Sequence, residues 1–140
     1  MNASIVRTLA SLCLCAALGP VSLQAQMLGH IRVTIPFGFT VGAKSLAAGE
    51  YRVLQMTPSV LAMQSIDGRS SAIVMTHPSR PTTASGRASM TFNKYGDRYF
   101  LAKVSDDGRG WELPKTPVEK ELIAKRASPP QPVVVDTDEQ

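Results

Sequence analysis

The stretch "SMTFNKYGDRYFLAKVS", Ser89 to Ser105, carries the reading on which the fold turns. It gathers two tyrosines, two phenylalanines, an Asp and an Arg around one glycine, which is the composition of a small binding site or of a hairpin. Gly96 followed by Asp97 suits a two-residue type II′ loop, because glycine supplies the positive φ at the first central position. That loop pairs Phe92 with Leu101, Asn93 with Phe100, Lys94 with Tyr99 and Tyr95 with Arg98. Tyr95 and Arg98 then close the loop as a cross-strand pair that can stack. The register carries a tension. It puts Ser89, Thr91 and Asn93 on one face with Phe100, Ala102 and Val104, whereas a loop one residue longer or shorter would give a cleaner apolar face of Met90, Phe92, Phe100, Ala102 and Val104. The two-residue loop therefore requires a second strand buried on both faces, which the run Tyr99-Phe100-Leu101-Ala102 permits.

Upstream the same punctuation recurs. Ile31, Val33, Ile35, Phe37, Phe39 and Val41 alternate, so one sheet face is apolar, while Pro36 and Gly38 demand an edge strand or a bend. Lys44 to Gly49 reads as a loop, and Glu50 to Met56 as the next strand. Val60–Ile66 and Ser70–Thr76 flank Asp67-Gly68, the preferred chemistry of a type I′ hairpin turn. That turn sets Met63 against Ala72 and Leu61 against Val74 on one face, and Ala62 against Ile73 and Val60 against Met75 on the other. Both faces are apolar at the base of this hairpin, so each is expected to be covered there. His77 to Gly86 is a Pro/Ser/Thr loop without periodicity, a favourable place for a functional surface.

Downstream, Asp106 to Gly110 is a turn, and Trp111 and Leu113 return to the core. Thr116-Pro117-Val118-Glu119 is a helix start with a capping-box pattern. The helix is expected over 117–126 with Val118, Leu122 and Ile123 inward. Pro129-Pro130 stops it, and 128–140 is expected to be a disordered tail, with Val133-Val134-Val135 able to add as a strand elsewhere. The fold class is mainly β: an antiparallel sandwich or small barrel of about seven short strands with one C-terminal helix.

The 140 residues carry 15 Lys and Arg against 11 Asp and Glu, a formal net charge of +4. Arg7, the apolar run Leu9–Leu18, the Gly19-Pro20 break and the small Ala25 have the order of an export signal, residues 1–25. A single β-rich domain, 26–127, follows. Both cysteines, Cys13 and Cys15, lie in the apolar run, so the mature chain is expected to hold together without disulfides. The remaining bases are scattered, without the aromatic interleaving of single-strand nucleic-acid binders. No nucleic-acid partner and no transmembrane segment in the mature chain are expected.

No catalytic, cofactor-binding or metal-ligating residue is assigned. The histidines His30 and His77 read as solvated, and there is no nucleophile elbow. Met56, Met63, Met75 and Met90 read as core fillers rather than soft metal ligands. Asp106-Asp107-Gly108 lacks the other ligands of a calcium loop. Trp111, Tyr51, Tyr95 and Tyr99 could serve as stacking platforms for a sugar, although Trp111 reads as a packing anchor.

Three segments together, "VTIPFGFTVGAKSLAAGEYRV" (Val33–Val53), "FNKYGDRYFLAKV" (Phe92–Val104) and "GRGWELPKTPVEKEL" (Gly108–Leu122), resemble a family of small exported bacterial proteins. That family more often has Pro where this chain has Ala47. The resemblance covers most of the mature chain and implies export, but it transfers no activity and no residue role. The expectation is an exported, periplasmic or extracellular module of the cell envelope, non-catalytic, binding or supporting a protein or polysaccharide partner. The alternative is an enzyme or enzyme accessory acting on envelope polymers or carbohydrate. A sheet edge, the His77–Gly86 loop and the Val-rich tail are the candidate surfaces.

Overall fold

The computed structural model describes residues 30–83, 86–126 and 129–137; the export signal read at 1–25 lies outside them. Eleven strands and one helix are formed among the described residues, more strands than the sequence suggests. The strands are β1 (His30–Ile35), β2 (Phe39–Val41), β3 (Lys44–Leu46), β4 (Gly49–Thr57), β5 (Val60–Ser65), β6 (Ser71–Met75), β7 (His77–Ser79), β8 (Ser89–Tyr95), β9 (Arg98–Asp106), β10 (Arg109–Glu112) and β11 (Gln131–Asp136). The helix α1 is Pro117–Lys125. One sheet has the order β1-β4-β5-β6; the other runs β11-β8-β9-β10-β7, with β2 against β9 and β3 against β2.

The surplus of strands has a physical origin. The long alternating run beginning at Ile31 divides at Pro36 and Gly38: β1 lies at the edge of the first sheet and β2 joins the second. Proline has no N–H for a ladder, so the break falls where the chain changes sheets. Lys44–Leu46, read as loop, pairs with β2 (Val41 opposite Lys44). His77–Ser79, also read as loop, pairs with β10, where Trp111 faces Pro78. The tail read as disordered supplies β11, with Val133 opposite Phe92 and Val135 opposite Met90. Its valines alternate inward and pack against the core, which compensates for ordering the segment.

The Ser89–Ser105 hairpin has the two-residue loop and all four of the pairs it implies. Gly96 has φ +62° and Asp97 is not among the residues with positive φ, as a type II′ loop requires. The facing conflict is resolved by neither loop alternative. The register shifts between Thr91 and Phe92, so that Met90 faces Val104 and Phe92 faces Leu101. Ala102 is the extra residue, and a bulge there returns Met90, Phe92 and Val104 to one buried face. Asn93, Tyr95 and Phe100 fall on the opposite face, where Asn93 and Tyr95 meet α1.

Buried side chains of both sheets form one cluster that includes Val33, Val53 and Met63 from the first and Phe39, Met90, Phe92 and Val104 from the second. Phe39 is the aromatic joint: its ring meets Tyr51 at 5.2 Å and Phe92 at 5.4 Å, both edge to face. Trp111 and Leu113 are buried as the sequence implies.

The two Asp-Gly dipeptides make different turns, and the first differs from the type I′ turn expected. At Asp67-Gly68 the pairs Met63–Ala72, Leu61–Val74, Ala62–Ile73 and Val60–Met75 form as read. The loop, however, spans four residues: Ser65 N–H donates to Ser70 O, and only Gly68 takes positive φ. Gly68 N–H closes a turn onto Ser65 O at 2.9 Å. The Asp67 carboxylate accepts from Ser65 Oγ at 2.6 Å and Arg69 N–H at 3.0 Å, while Ser70 N–H donates to Ser65 Oγ. Side-chain hydrogen bonds thus favour the longer loop, with an unchanged register. At Asp107-Gly108 both residues take positive φ, 44° and 74°, between the paired Asp106 and Arg109. This is the two-residue type I′ loop.

Candidate interaction surface

The residues nominated from sequence are mostly engaged in the fold. Tyr51, Tyr95 and Trp111 are buried, and Tyr99 stacks on Phe37 with ring centres 3.9 Å apart. None of the four offers an open platform to a sugar ring. Arg98 lies over Phe100 at 5.3 Å rather than over Tyr95, and Lys94 over Tyr99 at 5.4 Å. His30 and His77 are exposed and belong to different sheets. Among the described residues no group of three or more His, Cys, Asp or Glu is placed to hold a metal.

Helix α1 corrects a second expectation. Thr116 caps it, accepting Glu119 N–H on Oγ1 at 3.0 Å. The Glu119 carboxylate does not complete a capping box. It points down onto the hairpin and accepts from Asn93 Nδ2 at 2.9 Å and from the Tyr95 hydroxyl at 3.0 Å. Glu119 is the buried residue of the helix, while Val118 and Ile123, read as inward, are exposed. Burial, reinforced by the adjacent Glu119 carboxylate, raises the Tyr95 phenol to about 12. This cluster fastens the helix; both donors and their shared acceptor are internal.

One open cleft of about 320 Å³ lies at the tips of β4 and β5, lined by Glu50, Tyr51, Ser65, Asp67 and Ser70 among others. It brings two carboxylates into one place, the arrangement an acid–base pair would need. Glu50, however, is bridged by Arg32 Nε at 2.9 Å. The hydrogen bond from Ser65, then that from Arg69 N–H, holds Asp67 below the usual carboxylate range. A carboxyl held low in this way favours its ionised form and is a poor general acid.

The first sheet presents the feature that the sequence did not anticipate. Its inner face buries Leu61, Met63 and Ala72 as expected. Its outer face, expected to be covered near the hairpin base, is open: Ile73 is 69%, Met75 70% and Met56 57% exposed. The register sets Leu54, Ala62 and Ile73 in one row and Val60 and Met75 in the next. Met63 and Met90 are the core fillers expected; Met56 and Met75 are surface residues.

The strand bearing Ile73 and Met75 is also a sheet edge. Thr76 N–H donates to Ser59 O and Ser70 O accepts from Ser65 N–H, so even-numbered residues of this segment direct their backbone groups toward β5. Alternation then turns the N–H and C=O of Ser71, Ile73 and Met75 outward. Lys44 Nζ occupies one of these, the Ser71 carbonyl, at 3.0 Å. Three other edges are blunted: β7 carries Pro78, β11 carries Pro132, and β3 is only three residues long. Two sequence signals pointed here without being joined: an apolar outer face on the Val60–Met75 hairpin, and no Pro or Lys between Ser71 and Met75.

The chain matches no family model, no curated protein and no solved structure.

Proposed function

We propose that this chain is an exported, non-catalytic binding module that takes a partner onto the edge and outer face of β6. In this reading the two sheets are the halves of a β-sandwich, and the β6 edge, with its exposed apolar side chains, is the functional surface. The observation that carries it is the coincidence, in one five-residue strand, of two apolar side chains about 70% exposed and a row of outward backbone groups. An edge of this kind is a template for another strand, and natural domains blunt such edges unless they use them. The cysteine-free mature sequence and the order of residues 1–25 support export to a periplasmic or extracellular place, as does the resemblance to small exported proteins.

Site-specific photo-crosslinking in the exporting cell tests this reading. A photoreactive residue at position 73 or 75 is expected to give crosslinks, and one at Gln64, on the polar end of the same face, none. Absence of crosslinks at 73 and 75, or equal crosslinking at 64, overturns it.

A further inference from the structure

We infer that the segment received at β6 is an antiparallel, apolar chain end, its free C-terminal carboxylate meeting Lys44. This rests on the β6 edge being the site. The free backbone groups belong to Ile73 and Met75, while Lys44 closes the edge at the Ser71 carbonyl. The edge therefore accepts a short strand and stops it at a cation. An added strand running antiparallel, the sense of every pairing in the first sheet, has its C-terminal end beside Ser71. A carboxylate there forms a charge-assisted hydrogen bond with the ammonium of Lys44, which can keep Ser71 O as a second acceptor. Beyond the same end of the strand Arg69 is paired with Asp67, Nε to carboxylate oxygen 3.8 Å, which leaves Lys44 as the cation that meets the terminus. At the other end the surface turns apolar, with the exposed Met75 opposite Val60, which suits side chains preceding the terminus.

A second copy of this chain fits less well. Two β6 strands paired antiparallel about Ile73 would set each Ser71, with its Lys44, against the other copy's Met75. The ammonium would then leave a carbonyl and meet no anion. The lysine is what selects a carboxylate-bearing end over a like strand.

The test uses the mature chain and a six-residue peptide alternating Thr and Val with a free C-terminus, beside the same peptide amidated. Binding is read by backbone amide shifts and titration. The free acid is expected to bind about tenfold tighter than the amide, and Lys44→Gln to remove that difference. Ile73→Pro deletes an outward N–H that an edge strand can spare, and is expected to abolish binding of both peptides. Ile73→Lys serves the same purpose should the proline variant lose its native far-UV circular dichroism. Equal binding of acid and amide overturns the carboxylate proposal and leaves the edge reading standing. So does a β6-dependent dimer in sedimentation with no peptide bound, since the occupant is then a second copy. No peptide binding, no dimer and no crosslinks at position 73 bring down both.

Discussion

At the scale of single residues, Glu119 decides how the C-terminal helix sits. A carboxylate three residues after a Thr cap normally turns back to the cap; here Asn93 and Tyr95 offer two donors on a buried face. Glu119→Ala leaves both donors without an acceptor and is expected to lower unfolding free energy by about 2 kcal/mol, read by urea denaturation. The Tyr95 phenol provides an independent check through pH. Its folded pKa is raised, so the neutral form is the one the fold favours. Stability is then full below the unfolded value near 10 and declines as pH rises through about 12. Thermal melts across that window are expected to fall for the wild type more steeply than for Tyr95→Phe, which has no phenol there to ionise.

Among elements, turns and close approaches set the pairing. Asp67-Gly68 and Asp107-Gly108 are the same dipeptide in different turns, because the Ser65 hydroxyl and the backbone groups of Ser65 and Ser70 draw the first into a four-residue loop. Two glycines separate conformational strain from steric exclusion. Gly96 needs its positive φ, and a Cβ there meets the movable end of the Arg126 side chain at 2.6 Å. Gly96→Ala should cost about 1 kcal/mol. Gly110 pairs with Ser79 where β7 runs antiparallel beside β10, and a Cβ there lies 2.7 Å from the carbonyl oxygens of both Ser79 and Arg80. Backbone cannot give way as a side chain can, so Gly110→Ala should cost about 2–3 kcal/mol. Hydrogen exchange at His77–Ser79 should accelerate in that variant and not in Gly96→Ala.

For the molecule as a whole, β11 guards the β8 edge and adds Val133 and Val135 to the margin of the core. Deleting Gln131–Asp136 is expected to lower the unfolding free energy by about 2–3 kcal/mol and to promote association through the bared edge, visible in denaturation and light scattering. A tail without a fold would be removable at no cost. Local chemistry in the sequence was enough for the mainly β class, the hairpin pairs around Gly96-Asp97, the Met63–Ala72 register and the capped helix start. Those features depend on alternation and turn residues a few positions apart. Only the tertiary structure decided the rest. The bulge at Ala102 arises because two faces compete for burial, and Glu119 turns inward because donors distant in sequence meet it. The valine tail becomes a strand because β8 has a free side to pair. The openness of Ile73 and Met75 belongs to this second group: alternation marks both as apolar, but only the arrangement of the sheets shows which apolar face lies over the core and which is left facing outward.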